Sequence, residues 1–188
     1  MNTKEVQTAL RDLGWPIGVD GAFGPATRQA VLDFQQGFSH HDLLVDGFAG
    51  PQTHEALRHC LGAGGRCGSH FAFREFKSKG DGWIKVHREL VRALDGYRQR
   101  YGPTNIVSGH RDLGHNQKVG GAKNSQHLYG TAVDIPAVAS VAAVERLGLF
   151  SGIGYRARDG MVVHVDVRHA AINTTGGSPA TPTTWKYG

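Results

Sequence analysis

Three side chains that can bind a metal ion lie in two segments of the second half of this 188-residue chain. His127 and Asp134 are seven residues apart, and His164 follows further downstream. Two imidazoles and one carboxylate suit zinc, and three protein ligands leave its fourth position open, as in catalytic zinc sites. We therefore expect a hydrolytic zinc centre. The spacing of His127 and Asp134 is a weak signal alone, since a loop histidine and a strand-capping aspartate would also show it.

A strand from Met161 to Arg168 is expected to position His164. Its residues alternate in polarity, and a period of two places apolar side chains on one face and polar ones on the other. The core face would carry Val163, Val165 and Val167, and the polar face His164, Asp166 and Arg168. An edge strand whose polar face meets water would show the same pattern.

The segment between His127 and Asp134 must contain a bend. Gly130 and the β-branched residues after it disfavour a helix. On an unbroken strand, an odd offset would place the two side chains on opposite faces. A turn or bulge at Tyr129 and Gly130 is therefore predicted to redirect one of them.

The other elements of the second half are short and mixed. Apolar periodicity predicts a long helix that ends near Arg100, and residues 106–108 and 132–135 are predicted strands. Residues 137–149 are predicted to form a helix, whereas residues 170–184, rich in Thr, Gly, Ser and Pro, predict a loop. These elements indicate an α+β domain with a small antiparallel sheet.

The first sixty residues contain an internal repeat. The sequence Asp20–Thr27 (DGAFGPAT) recurs as Asp46–Thr53 (DGFAGPQT). Asp-Gly predicts a turn, and Gly-Pro places proline at the first position of a helix. An earlier helix would be capped by Asn2 or Thr3. The resulting three short helices resemble the peptidoglycan-binding domain type 1, a wall-anchoring module, over residues 1–61. A plain helical bundle with favourable turns is the alternative.

A glycine-rich segment separates the two halves. Residues 62–69 are predicted to be a flexible linker, which makes residues 70–188 the second domain. The two cysteines of the chain, Cys60 and Cys67, lie at this segment. Their spacing permits either a small disulfide bridge or two free thiols, and their number excludes a disulfide-rich scaffold.

Composition excludes some functional classes. Hydrophobic residues make up 39% and charged residues 20%, so a packed core is available and wholesale disorder is excluded. The net charge of +5 would suit an anionic cell wall, nucleic acid or membrane. No basic helix or interleaved aromatic pattern favours nucleic acid, and no apolar stretch reaches about 18 residues. We expect no nucleic-acid partner and no stable membrane association.

Further motifs surround the candidate ligands in a fixed order. They are Ser108–Arg111, His115–Asn116, Val119–Ala122, Ser125–Gly130, Ala132–Ile135 and Val163–Arg168. Together they resemble the M15 zinc peptidases, in particular the small cell-wall carboxypeptidases and endopeptidases of bacteria and phage lysins. The resemblance covers about residues 71–168.

The resemblance assigns roles to individual residues. It implies that His127, Asp134 and His164 bind zinc. It also implies that Arg111 binds a substrate carboxylate or peptide carbonyl, which suits the planar fork of a guanidinium group. His110 stands where the family usually has tyrosine, which leaves the shape of the local pocket open.

The general base is less determined by the sequence. In several M15 branches an acidic residue or a histidine lies shortly before the last ligand, where this chain has Met161 and Val162. Asp166 shares a strand face with His164 and is the first candidate, and Asp159, in an upstream loop, is the second. A supporting role or a salt bridge is the alternative for Asp166.

His115 or Gln126 would hydrogen-bond to the substrate. No role is predicted for the remaining histidines singled out, most of which are expected to face solvent: His40, His41, His70, His87, His110 and His169.

The two halves predict one substrate. A wall-binding module joined to a zinc peptidase would hold the enzyme on bacterial peptidoglycan while stem or cross-bridge peptides are cut. Two alternatives stay open: a D-Ala-D-Ala carboxypeptidase that trims stem peptides, and a non-catalytic wall-binding module that retains zinc. Since the start of the chain has no apolar signal region, we expect a phage-type lysin that is made in the host cytoplasm and released to the wall, and an export-independent bacterial autolysin is the alternative. The protein is expected to be a monomer.

Overall fold

The computed structural model describes residues 1–170 and 177–188, apart from the side chain of His169. The helices are α1 (Thr3–Leu13), α2 (Pro25–Gly37), α3 (Pro51–Gly62), α4 (Arg88–Tyr101), α5 (Leu113–Lys118) and α6 (Val141–Glu145). The strands are β1 (Ala132–Asp134), β2 (Gly152–Arg156), β3 (Val162–Asp166) and β4 (Thr183–Tyr187). No helix among the described residues is long and apolar enough to cross a membrane.

The three helices predicted from the repeat are confirmed. Asn2 caps α1 and forms a capping box with Glu5, and Pro25 and Pro51 begin α2 and α3. Since α3 ends at Gly62, the first residues of the predicted linker belong to a helix and its last turn.

A buried glutamine is hydrogen-bonded to the turn and to the helix of each copy of the repeat, a feature that the sequence pattern did not predict. The Nε2 group of Gln7 donates to Asp20 Oδ1 and to Thr27 Oγ1, at 2.8 and 3.0 Å. Gln35 makes the equivalent bonds to Asp46 Oδ1 at 3.0 Å and to Thr53 at 3.1 Å. Each glutamine therefore ties the Asp-Gly turn to the helix that follows it.

The strands form one sheet in the order β1-β3-β2-β4. β3 runs antiparallel to both neighbours, whereas β4 runs parallel to β2. The sheet is therefore mixed, and the prediction of an antiparallel sheet is wrong for β4. The α+β class is confirmed.

Several predicted elements have other bounds in the structure. Residues 106–108 form only an isolated bridge, between Ser108 and Asp134, and the predicted helix over 137–149 is limited to α6. The end of the predicted loop over 170–184 belongs to β4, and residues 171–176 of that loop lie outside the described residues. The glycine-rich sequence of β2 did not predict a strand.

The helical half and the α+β half share one hydrophobic core. Phe34 of α2 is fully buried, and its ring centroid lies 5.3 Å from that of Phe73 and 6.2 Å from that of Trp15. The indole N–H of Trp15 donates to the carbonyl of Ile84 at 3.1 Å, and that of Trp83 donates to Asp33 at 2.8 Å. Packing and hydrogen bonds therefore fix the two halves against each other.

The predicted linker is part of this junction. The N–H of Cys67 donates to the carbonyl of Phe71 at 2.9 Å, and the N–H of Ser39 donates to the carbonyl of Cys67 at 2.8 Å. Cys60 and Cys67 are both buried free thiols. The segment forms hydrogen-bonded turns rather than a free spacer, while the domain bounds themselves stay a prediction.

Candidate metal centre

The structure brings the three predicted ligands together. Nε2 of His127 lies 3.2 Å from Oδ1 of Asp134 and 3.2 Å from Nδ1 of His164, and the last two atoms are 3.0 Å apart. Both imidazoles are buried and the carboxylate is partly exposed. Within the described part of the chain, no other group of three or more His, Cys, Asp or Glu side chains converges in this way.

Outer hydrogen bonds set the proton positions of both imidazoles. Nδ1 of His127 lies 2.7 Å from the carbonyl oxygen of Gly109, which can only accept, so this nitrogen carries the proton. Nε2 of His164 lies 3.3 Å from a carboxylate oxygen of Asp166, so here Nε2 is the protonated nitrogen. The nitrogens that face each other are therefore both lone-pair donors.

This arrangement fits zinc. Two lone-pair nitrogens and a carboxylate oxygen in mutual contact repel one another unless a cation lies between them. Ligands about 2.0–2.1 Å from a tetrahedral zinc ion would be roughly 3.3–3.4 Å apart, close to the observed 3.0–3.2 Å. The three residues on one side also leave the fourth direction open to the cleft.

The predicted bend between His127 and Asp134 is confirmed. Residues Gln126–Tyr129 form a 3₁₀ turn, and Gly130 ends it with φ of 70°, a conformation that favours glycine. A Cβ atom at Gly130 would also lie 2.7 Å from the carbonyl oxygen of Lys85. The turn therefore directs His127 towards Asp134 at the end of β1.

One row of residues across the sheet positions the site. Asp134 of β1 pairs with His164 of β3, His164 with Gly154 of β2, and Gly154 with Trp185 of β4. Gly154 has no side chain to separate its neighbours, and the rings of His164 and Trp185 meet at a centroid distance of 5.1 Å. The absence of a side chain in β2 therefore lets β4 reach the metal site.

Arg111 binds the outer side of the Asp134 carboxylate. Its Nη2 group is hydrogen-bonded to Asp134 Oδ2, and its Nε group donates to Ser108 Oγ at 3.1 Å. The carboxylate therefore presents Oδ1 to the imidazoles and Oδ2 to the guanidinium. Arg111 lines the cleft as well, which leaves its predicted contact with the substrate compatible with its position.

His110 is buried, whereas His40, His41 and His70, which also have no predicted role, are exposed as expected for most of this group. Nδ1 of His110 lies 3.0 Å from the carbonyl oxygen of His127, and the backbone N–H of Arg111 donates to the same oxygen at 3.2 Å. Burial lowers the pKa of His110, which keeps the ring neutral and Nδ1–H available as a donor. His110 therefore fixes the backbone of a predicted ligand.

The structure does not support Asp166 as the general base. Its side chain is fully buried, and Arg168 donates to both carboxylate oxygens, at 2.9 Å from Nε and 2.7 Å from Nη2. Oδ2 also meets His164. With both oxygens engaged behind a ligand, Asp166 orients His164, which is the supporting role left open by the sequence.

Asp159 does not support the base assignment either. It lies in the turn between β2 and β3, where it accepts from the N–H of Met161 at 3.1 Å and pairs with Arg156 at 2.7 Å. It is not among the residues that line the cleft around the three ligands. Its contacts stabilise the turn between β2 and β3.

The two predicted substrate-binding residues differ in position. Gln126 lines the cleft, with its side-chain oxygen accepting from Thr131 at 2.8 Å. His115 lies on α5, where its backbone N–H bonds to Asp112, and it does not line the cleft. The structure therefore brings Gln126, and not His115, to the site.

The cleft beside the three ligands has a volume of about 760 Å³. Trp185 and Tyr187 of β4 form one wall, and the loop from Val119 to Asn124 lines it too. The sequence pattern did not predict that these aromatic residues belong to the site, because they follow a loop-like segment. Their alternate spacing, which places both on one face of a strand, is the signal that was available.

Charge and burial act on the ligands in opposite directions. Burial lowers the pKa of His127 below its ordinary value. Burial also acts to lower the pKa of His164, but the two neighbouring carboxylates, Asp134 and Asp166, outweigh it and raise the value. Burial raises the pKa of Tyr187, and a hydrogen bond from Trp185 offsets only part of that rise. The phenol is therefore protonated at neutral pH.

Comparison with known proteins agrees with this geometry. The family model of a putative peptidoglycan binding domain matches residues 2–57, and that of Peptidase M15 matches residues 70–166. The zinc D-Ala-D-Ala carboxypeptidase of Streptomyces albus G is 34% identical over 148 residues, which cover 70% of this chain. The chain spans 56% of the length of that relative. The matched motifs and this identity show that the chain belongs to the peptidase M15 family, whose characterised relative here is a zinc enzyme.

Proposed function

We propose that this chain is a zinc-dependent peptidase that cuts stem or cross-bridge peptides of bacterial peptidoglycan. The observation that carries the proposal is the convergence of His127 Nε2, Asp134 Oδ1 and His164 Nδ1 at 3.0–3.2 Å, while the other ring nitrogen of each histidine contacts an acceptor oxygen on the outer side. Membership of the M15 family supports the same reaction class. The match to a peptidoglycan binding domain supports the choice of substrate.

The residues of the site have separate tasks in this proposal. His127, Asp134 and His164 hold the metal, and zinc supplies Lewis-acid chemistry that polarises the scissile carbonyl and activates water. Asp166 keeps His164 in the required tautomer, and Gly109 does the same for His127. These outer contacts fix the ligands before substrate arrives, so little reorganisation is needed on binding.

Arg111 has two tasks. It neutralises the outer oxygen of Asp134, and it lines the cleft where a peptide would lie. Its guanidinium can hold a peptide carbonyl or a terminal carboxylate in a fixed orientation. Gln126 adds an amide group to the lining of the cleft.

The bond that is cut decides between two forms of the proposal. An endopeptidase would cleave within stem or cross-bridge peptides, whereas a D-Ala-D-Ala carboxypeptidase would trim their ends. The name of the Streptomyces relative favours the second form. Mass spectrometry of purified peptidoglycan after digestion separates them: free D-alanine indicates the carboxypeptidase, and shortened cross-linked fragments indicate the endopeptidase.

A non-catalytic wall-binding module that retains zinc is a second candidate. It is favoured by one observation: both carboxylates that line the described cleft are engaged, Asp134 with Arg111 and Asp166 with Arg168. Purified protein that contains zinc, binds cell walls and releases no new amino termini would support this candidate against the peptidase.

We further propose that the chain is bacteriolytic and acts as a monomeric phage-type lysin, without nucleic acid or a stable membrane contact. The net charge of +5 would favour binding to an anionic wall. Clearing of a suspension of outer-membrane-permeabilised cells measures this part of the proposal. If the turbidity of the suspension does not fall after active peptidase is added, the proposal of lysis is contradicted, whereas the proposal of peptide cleavage is not.

A further inference from the structure

The aromatic wall of the cleft is formed by the last strand of the chain. Trp185 and Tyr187 are two residues apart on β4 and therefore lie on one face of the sheet. The ring of Trp185 packs against His164, which identifies that face as the one with the metal ligands. Tyr187 thus stands beside the metal site, with 42% of its surface exposed.

Gly154 makes this approach possible. A Cβ atom at this position would lie 2.7 Å from Cε2 of Tyr187 and 3.0 Å from Nε1 of Trp185, and a real Cβ atom essentially never comes within 3.0 Å. Both aromatic rings therefore lie over the backbone of β2. The guanidinium of Arg168 also lies over the ring of Trp185, 4.9 Å from its centroid. The wall is therefore packed against both β2 and Arg168.

The backbone also fixes Tyr187. Its carbonyl accepts from the N–H of Ala157 at 2.8 Å, and its position in β4 pairs with Arg156 of β2. The phenol is therefore carried by a residue whose backbone is held in the ladder between β2 and β4. A group held in this way loses little further freedom when it contacts a substrate.

Each of the two arginine side chains that line the cleft is paired with a carboxylate. Arg111 uses Nη2 for Asp134 and Nε for Ser108, and Arg168 uses Nε and Nη2 for Asp166. The hydroxyl of Tyr187 is a neutral donor on the same cleft, and as a phenol it keeps its proton at neutral pH. It therefore offers a hydrogen bond that needs no prior ion pair to be broken.

We propose that Tyr187 is a catalytic residue whose hydroxyl donates a hydrogen bond to the oxygen of the scissile peptide group as negative charge develops there. This inference rests on the proposed peptidase function. No proton is transferred in this role, because the phenol only donates a hydrogen bond. Trp185 supports the ring and acts as a positioning residue.

Kinetics of Tyr187→Phe on soluble peptidoglycan fragments test the proposal, because the substitution removes one oxygen and keeps the ring. Loss of one such donor lowers kcat by about 10²-fold or more, so kcat/KM should fall by about that factor with KM little changed. The matched control is Tyr101→Phe, which removes a phenol that donates to Ala143 at 3.1 Å outside the cleft. It should retain the kinetics of the unsubstituted protein.

A second readout is independent of turnover. A phosphinate dipeptide imitates the charged oxygen of the transition state, and calorimetry should show that Tyr187→Phe binds it about 10²-fold more weakly. Zinc content should be one ion per chain in all three proteins, which shows that the substitution has not disturbed the ligands.

The outcomes separate this inference from the proposed function. If the unsubstituted protein is active and Tyr187→Phe is equally active, the inference is overturned and the peptidase stands. The inference is also overturned if Tyr187→Phe is fully active and Tyr187→Ala loses activity through a higher KM. The aromatic ring alone would then contribute, by binding the substrate. If the unsubstituted, zinc-loaded protein releases no amino termini, the proposed function fails and this inference fails with it.

Discussion

Replacing Phe34 by alanine tests whether the two halves of the chain fold as one unit. Phe34 belongs to the helical half, is fully buried, and contacts Phe73 across the junction at a ring-centroid distance of 5.3 Å. Truncating a buried phenylalanine to alanine costs about 3–5 kcal/mol, from lost apolar burial and the cavity that is left. For a chain of this size, 1 kcal/mol lowers Tm by roughly 2–4 °C, so we expect a decrease of about 6–20 °C.

The shape of the unfolding transition carries as much information as its midpoint. Because one core joins the two halves, thermal unfolding followed by far-UV circular dichroism should show a single transition that also coincides with the loss of zinc. Phe48→Ala is the matched control, since Phe48 is 68% exposed and its replacement should change stability by less than about 0.5 kcal/mol. Two separate transitions, with only one of them moved by Phe34→Ala, would refute the shared core.

The remaining predictions concern the support of the site, the repeat and the thiols. Asp166→Asn should weaken zinc binding about 10–100-fold in competition with a chromogenic chelator, since the charged partner of His164 is lost; unchanged affinity would contradict the role of Asp166. Gln35→Ala leaves buried polar groups of the second repeat without partners and should lower the free energy of unfolding in urea by about 1–3 kcal/mol; a smaller loss would show that water replaces the glutamine. Burial raises the pKa of Cys60 to about 12, so the native thiol should resist alkylation up to about pH 9 and react on unfolding. Since the folded pKa is the higher one, this thiol's contribution to stability is present below the unfolded pKa and lost as pH rises towards 12; rapid native alkylation at pH 8 would contradict its burial.

Much of the architecture near the ligands follows from local sequence. Asp-Gly and Gly-Pro predict the turns and helix starts of the repeat, and the structure has both. The alternation in β3 predicts the strand that carries His164, and the odd offset between His127 and Asp134 predicts the bend that the structure shows at Gly130. These features depend on residues that are close in sequence, so the local sequence pattern is enough to predict them.

The parts that were not predicted depend on distant contacts. The sequence of β2 contains two glycines and looks like a loop, yet Gly154 is needed so that Trp185 can reach His164. β4 becomes a strand only by pairing with β2, far upstream. Asp166 shares the polar pattern of His164, but only the three-dimensional structure shows that Arg168 occupies both of its oxygens. Strand pairing and burial are properties of the folded chain, and periodicity alone does not predict them.

The release of new amino termini from purified peptidoglycan, measured together with bound zinc, tests the central claim most directly. The unsubstituted protein should hold one zinc ion per chain and release amino termini, while Asp134→Ala should do neither and still bind cell walls. Asp159→Asn is the matched control, since Asp159 lies outside the cleft, and it should keep both properties. Retention of zinc and of peptide cleavage by Asp134→Ala would contradict the claim that His127, Asp134 and His164 form the catalytic metal site.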